Sequence, residues 1–310
     1  LRIVYFGTPD FAARVLERLL EGGIELVAVV TQPPRPKGRS GSPVPGAVAE
    51  LVRKKLPDLP LFEWENASAA ENLATLAELE ADLFVVVAFG QFLAKGLRDL
   101  PRLDCINLHP SLLPKYRGAA PIQHSLINGD LETGVSVMKV VKEMDAGDVI
   151  LQERTPIAPA ETLGHLESRL CKMGADLLLQ AIEQFGSGDV TYTRQDEAGV
   201  THASKLMRED GELHWQRPAR ELFCRYRGVT PRPGAWSRVW IRGKESRMKI
   251  LECTLLEGER GEAGEQLEPL VVACGEGALR LERVQLEGRR GVDRDELLRG
   301  LTPEEINFQG

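Results

Sequence analysis

A doubly wound α/β domain followed by a small antiparallel β-barrel domain is the fold this sequence predicts, and three observations predict it. Short apolar runs at 1–6, 26–30, 83–89 and 105–109 alternate with helical patterns near 10–21, 46–55 and 69–79. Strands and helices at that spacing build a parallel sheet covered on both faces. The 83–89 run is uninterrupted, as in a strand buried on both faces. From about residue 205 the pattern changes to apolar segments at 236–241, 248–256, 270–274 and 278–286, separated by glycines. These read as antiparallel strands and turns, in an open barrel of a kind that often serves nucleic acids. The chain has 310 residues, 43% of them hydrophobic, enough for two cores.

The elements follow in order. Residues 1–6 form the first strand, and this opening reads as strand rather than signal peptide. Gly7-Thr8-Pro9-Asp10 is a turn in which Thr8 or Asp10 can cap the next helix. The stretch 32–43 holds four prolines, two glycines and three cations, so it is a long loop. Asn107 and His109 stand where the 105–109 strand gives way to Pro110. That is the carboxyl end of a strand, where such sheets bind ligands. Residues 135–141 and 149–152 read as strands around the turn Glu143-Met144-Asp145-Ala146-Gly147-Asp148, and 163–185 as a long amphipathic helix. The polar, glycine-bearing stretch after it reads as a linker. The expected division is therefore 1–188, a linker at 189–204, and 205–310.

Composition excludes several classes. No apolar run reaches the roughly 18 residues of a membrane span. The five cysteines form no C-x-x-C pair, so neither a disulfide framework nor a zinc ribbon is expected, and free buried thiols fit a cytoplasmic protein. The net charge of −7 argues against a general nucleic-acid binder. The charge is uneven, however. Residues 205–249 hold 12 basic and 5 acidic side chains, a net of +7 against −14 for the remainder. Such a segment is either a footprint for a polyanion or the solvated face of a β domain. The 32–46 stretch has no Walker lysine pattern.

The chemistry concentrates in Asn107-Leu108-His109-Pro110-Ser111-Leu112-Leu113-Pro114, with Asp145 downstream. Asn107 and His109, two apart on a strand, point to one side. An amide donor and an imidazole, joined by a carboxylate, suit attack on a carbonyl: the donor steadies the oxyanion and the others move protons. There is no G-x-S-x-G elbow and no cysteine beside His109, so transfer straight to an incoming nucleophile fits better than a covalent intermediate. By itself, Asn-x-His also fits strand-end residues that satisfy backbone groups. His124, His165, His202 and His214 show no metal-ligand spacing.

The whole stretch resembles the signature of the folate-dependent formyltransferase family: Asn-x-His, a Ser-Leu-Leu-Pro turn, and an Asp in a D-x-G-D-like turn. Phe6-Gly7-Thr8-Pro9-Asp10-Phe11, Thr31-Gln32-Pro33, Ala88-Phe89-Gly90-Gln91, Gly118-Ala119-Ala120-Pro121-Ile122-Gln123 and Gly211-Glu212-Leu213-His214-Trp215 extend the likeness over nearly the full length, toward members that act on methionyl-tRNA. The resemblance implies a Rossmann-like formyltransferase domain and an OB-like C-terminal domain. It implies 10-formyltetrahydrofolate as donor and the amine of methionyl initiator tRNA as acceptor in translation initiation; the lack of ligand spacing separately implies no metal. Asn107, His109 and Asp145 would be catalytic. Ser111, Leu112, Leu113 and Pro114, with Phe89, Gly90 and Gln91, would meet the folate. Lys37 and Arg39 would meet the tRNA acceptor end, and Arg225 and Arg227 its arm. Two departures stand out. Ser40-Gly41-Ser42 replaces the lysines that often follow Gly-Arg in the family, and Pro110 replaces a frequent Gly, as in sisters that act on a purine-precursor ribonucleotide. Alternatives are a formyltransferase for a sugar-nucleotide amine, a formyl hydrolase, and a tRNA-binding protein with a dead site.

Since no cluster has ligand spacing, dialysis against chelator is expected to leave formyl transfer unchanged once magnesium needed by tRNA is restored. A loss recovered only with zinc or another transition metal would contradict this.

Overall fold

The computed structural model describes residues 1–36 and 41–309, in two compact units. One comprises Leu1–Gly118, Thr133–Thr155 and Glu167–Ala203; the other comprises Ala119–Glu132, Pro156–Leu166 and Ser204–Gly310.

The first unit is built on a seven-stranded sheet. Its spatial order is Val149–Pro156, Glu132–Lys139, Asp104–His109, Leu83–Val87, Ile3–Gly7, Leu26–Thr31, Leu61–Glu63. The last five are mutually parallel, and Glu132–Lys139 runs antiparallel to Asp104–His109. Leu83–Val87 and Ile3–Gly7 are wholly buried, as their unbroken apolar runs require. Phe6, Phe84 and Phe89 pack edge to face or tilted, with centroids 5.1 and 5.4 Å apart. The chain leaves Ile3–Gly7 toward one edge and returns to its other side with Leu83–Val87, so the strand order reverses there. A crevice at the carboxyl ends of the strands is the expected ligand site of such a sheet.

One local expectation differs from what is found. Neither Thr8 nor Asp10 caps the helix Asp10–Glu21; Pro9 holds the N-cap position with no side-chain bond. Thr8 is drawn away: its hydroxyl donates to the Phe89 carbonyl (3.2 Å) and accepts from the Gln32 amide (3.3 Å), tying three strand ends together. The 32–43 loop carries a short ladder, Arg35–Pro36 with Pro43–Val44.

The second unit holds the antiparallel sheet in the order Gln266–Glu268, Val271–Ala273, Ala278–Leu286, Lys244–Leu256, Trp236–Ile241, Ile306–Asn307. Register shifts around Glu252 bend the long strand Lys244–Leu256, as bulges do. The sheet curls until its ends meet. Gln266, on the first strand, donates from Nε2 to the carbonyls of Ile306 (2.6 Å) and Pro303 (3.0 Å), by the last. This is a nearly closed barrel, filled by Trp215, Val239, Met248, Ile250, Leu279, Leu281 and Phe308. The basic segment is not all strand, because Ala219–Val229 forms a helix whose Leu222, Tyr226 and Val229 enter the core.

Gln266→Leu keeps the volume but leaves two carbonyls and the Leu270 amide without their partner. A loss of about 1–3 kcal/mol per group left unsatisfied is the ceiling. A fall in the urea midpoint of the second unit's transition reads it, and an unchanged midpoint would show that the closure is not made by this side chain.

Candidate active site

His109 ends the strand Asp104–His109 and is 4% exposed. Its ring is held on both edges. Nε2 lies 2.9 Å from the Tyr116 carbonyl oxygen, which can only accept, so Nε2 carries a proton. Nδ1 faces Asp145 Oδ2 at 3.6 Å. That gap is too long for a hydrogen bond, and Nδ1 is the ring atom left for chemistry. Asp145 Oδ2 accepts from the Gly118 amide at 2.8 Å, while Oδ1 has no partner among the described residues. Asn107 lies two residues before His109, half-buried, and its carboxamide likewise has no partner among the described residues. An uncommitted amide, an imidazole with one free nitrogen and a carboxylate with one free oxygen thus share the carboxyl end of one strand.

Asp145 gets there by an unusual turn. Its φ is +52°, a left-handed conformation that costs a non-glycine residue about 1–2 kcal/mol. Two residues on, Gly147 passes so close to the Lys139 carbonyl that any Cβ would collide with it. The turn returns the chain toward Val149–Pro156, with the Lys139 amide bound to the Asp148 carbonyl at 2.9 Å.

The turn at 110–114 is braced from below. Ser111 is fully buried and donates from Oγ to the Lys115 carbonyl at 2.6 Å. Ser136 Oγ donates to the Ser111 carbonyl at 2.6 Å, and Gln152 Nε2 donates to the Leu113 carbonyl at 3.0 Å. What this turn offers a ligand is therefore its half-buried Leu112 and Pro114; Leu113 is 5% exposed. At the neighbouring strand end, Phe89 is 2% exposed and belongs to the core. Gln91 spends its amide on the Trp64 carbonyl (2.6 Å) and the Ala67 amide (2.9 Å), which leaves Gly90, exposed at φ +77°, as the open position of that loop.

Sequence reasoning did not single out Arg117, Gln195 or Thr201, which surround this cluster. Tyr116 donates its amide to Thr201 Oγ1 at 2.8 Å, and residues 117–118 pair in parallel with 202–203. The stretch expected as a linker thus runs along the first unit. The signal that could have found it is weak: a polar Gln-Asp-Glu stretch shortly before the two-residue strand His202–Ala203.

Of the residues expected at tRNA, Lys37 and Arg39 lie outside the described residues. Arg225 is half-buried and donates to the Asp210 carbonyl at 2.9 Å. Arg227 is 5% exposed, so it sits inside the unit and not on the surface as expected. Its guanidinium reaches the Ala158 and Glu161 carbonyls (3.4 and 3.5 Å) and lies 5.6 Å from the Phe223 ring centre.

No thiol adjoins the cluster. Burial pushes Cys171 up to about 11 and Cys274 up to about 12, and raises Cys105 further, so these are inert core thiols. Among the described residues no group of three or more His, Cys, Asp or Glu is placed to hold a metal ion, and no helix is long and apolar enough to cross a membrane.

Residues 1–182 match the family Formyl transferase, and residues 205–302 match Formyl transferase, C-terminal domain. The chain is 43% identical to a methionyl-tRNA formyltransferase of Protochlamydia amoebophila, over 99% of this chain and 98% of that one. It is 40% identical to one of Parvibaculum lavamentivorans, over 97% of each. Among solved structures, it is similar in fold to an N-formyltransferase from Helicobacter canadensis in complex with folinic acid and dTDP-3-aminofucose (TM-score 0.65, 16% identity, 94% of this chain and 99% of that one). It is also similar in fold to HypX from Aquifex aeolicus in complex with tetrahydrofolic acid (TM-score 0.64, 17% identity, 96% of this chain), of whose length it spans 46%. The chain belongs to the formyl transferase family.

Proposed function

We propose that this chain transfers the formyl group of 10-formyltetrahydrofolate to the α-amine of methionine on initiator tRNA, by direct attack. The observation that carries this reading is the meeting of Asn107, His109 Nδ1 and Asp145 at the carboxyl end of one strand, with His109 Nδ1 and Asp145 Oδ2 3.6 Å apart. It occurs in a chain 40–43% identical over nearly its whole length to methionyl-tRNA formyltransferases.

The amine nitrogen adds to the formyl carbon, and the carbonyl electron pair moves onto oxygen. Asn107 donates its free N–H to that oxyanion, a contact that strengthens as charge develops. Asp145 Oδ1 takes the amine proton. The bond from carbon to the folate nitrogen then breaks, its electron pair returns to that nitrogen, and the proton Asp145 took from the amine passes through His109 Nδ1 to it, which restores both side chains. Asp145 Oδ2, 3.6 Å from Nδ1, faces the ring atom through which the proton passes. Leu112, Pro114 and Gly90 supply the folate-facing walls, with Ser111, Leu113, Phe89 and Gln91 bracing them from within.

The basic segment and the loop carrying Lys37 and Arg39 serve the tRNA. Because Arg227 is internal, the phosphate-facing cations are Arg225 and the exposed Arg220, Arg217 and Arg232. Incubation with 10-formyltetrahydrofolate and charged initiator tRNA should give equal amounts of tetrahydrofolate and formyl-methionyl-tRNA. Release of tetrahydrofolate without formylated tRNA would mean hydrolysis, and turnover confined to a sugar-nucleotide amine would overturn the acceptor.

Asn107→Ala should lower kcat about a hundredfold, with folate affinity nearly intact, as for a lost oxyanion donor. A rate within a few-fold of wild type would remove Asn107 from the mechanism. Each phosphate contact releases counterions, so tRNA affinity should fall steeply with salt. Arg220→Ala with Arg225→Ala should flatten that slope and leave folate affinity unchanged; superimposable plots of affinity against salt would exclude those two from the platform.

A further inference from the structure

Asp145 sits in a left-handed conformation at φ +52°, and something must hold it there. The holding group comes from 50 residues downstream. Gln195, 6% exposed, donates from Nε2 to the Asp145 carbonyl at 2.8 Å and to the Gly147 carbonyl at 2.7 Å. One amide nitrogen thus captures the carbonyls at both ends of the three-residue turn. Its oxygen is equally committed: Oε1 accepts from Arg117 Nε at 3.0 Å and Nη2 at 2.9 Å. Arg117 is itself 7% exposed and continues to Glu197 Oε1 at 2.9 Å.

The chemistry of this chain of bonds is directional. A guanidinium only donates, so it must face the amide oxygen, and the NH2 is forced toward the turn. Flipping the amide would set donor against donor and oxygen against two carbonyls. All four hydrogen-bonding positions of the Gln195 amide are used, in a buried site. The neighbours of Arg117 complete the frame: the Tyr116 carbonyl holds His109, and the Gly118 amide holds Asp145 Oδ2.

We propose that Gln195 is a positioning residue for Asp145: oriented by Arg117, it fixes the 145–147 turn so that the Asp145 carboxylate faces His109 Nδ1. This rests on the reading that Asp145 acts in formyl transfer.

Gln195→Glu separates positioning from packing. It is isosteric and keeps, and strengthens, the bond to Arg117, but it turns an anionic oxygen toward two carbonyls and releases the turn. Its kcat should fall about tenfold or more, as misplaced groups cost, while KM for folate and tRNA stays within about twofold because no ligand contact is lost. The decisive readout is a double-mutant cycle with Asp145→Asn, a substitution that tolerates the left-handed backbone. If Gln195 acts through Asp145, adding Gln195→Glu to Asp145→Asn should cost nothing further. The same loss in both backgrounds, or a wild-type kcat for Gln195→Glu where Asp145→Asn collapses, overturns the proposal. A wild-type kcat for Asp145→Asn itself overturns the underlying reading instead. Should the Glu variant fail to fold, Gln195→Asn, whose amide is one methylene short of the turn, carries the same cycle.

Discussion

Two backbone groups, the carbonyl of Tyr116 and the amide of Gly118, set the geometry on which the candidate site depends. They lie two residues apart, and between them they fix the far nitrogen of His109 and one oxygen of Asp145. What remains free, Nδ1 and Oδ1, is what can meet a substrate. A backbone clamp is only as rigid as its own support, and residues 116–118 belong to neither of the large sheets. They are pinned by the parallel pairing with 202–203, where Gly118, at φ +125°, has the Ala203 carbonyl oxygen where a Cβ would stand, 2.6 Å away. The short 193–203 stretch therefore supports the cluster twice, through this ladder and through Gln195.

The large sheet supplies the rest of the frame. Its central strands are buried on both faces, so their carboxyl ends are held by close packing and not by surface contacts. Thr8 and Gln32 add bonds from two other strand ends to the Phe89 carbonyl, 3.2 and 2.8 Å long, beside the left-handed Ala88. The strand ends beside the cluster are thus preorganised by hydrogen bonds already made. A site that stabilises charge appearing only during reaction needs that property.

Charge in the second unit is partly consumed internally. Arg227 and Arg225 satisfy carbonyls, Arg238 pairs with Glu212 at 3.0 Å, and Arg247 lies 4.3 Å from the centre of the Trp236 ring. A net of +7 in sequence is therefore more than the surface presents. Arginines serve here as both glue and field, because the guanidinium is weakly hydrated and its stem and face pack well.

Periodicity and residue chemistry settled a good part of this molecule before any coordinates. The buried strands at 83–87 and 104–109 show in their apolar runs. Asn107 and His109 share a side because strand period is two, and the change of pattern after 205 marks a different architecture. These properties are local, so a window of a few residues contains them. The partner of His109 was named from resemblance, and its approach is a matter of tertiary structure, through a turn whose left-handed Asp145 has no sequence signature. Gln195 and Arg117 were invisible for the same reason. The bonds that matter span 27 residues from Gly118 to Asp145, 50 from Gln195 to Asp145 and 78 from Arg117 to Gln195. Arg227 shows the converse: its type and neighbours suggest a surface cation, and only the packing of the helix Ala219–Val229 puts it inside. Hydrogen bonds between residues so far apart leave no periodic trace in the chain, because their geometry exists only once the sheet has brought the two segments together.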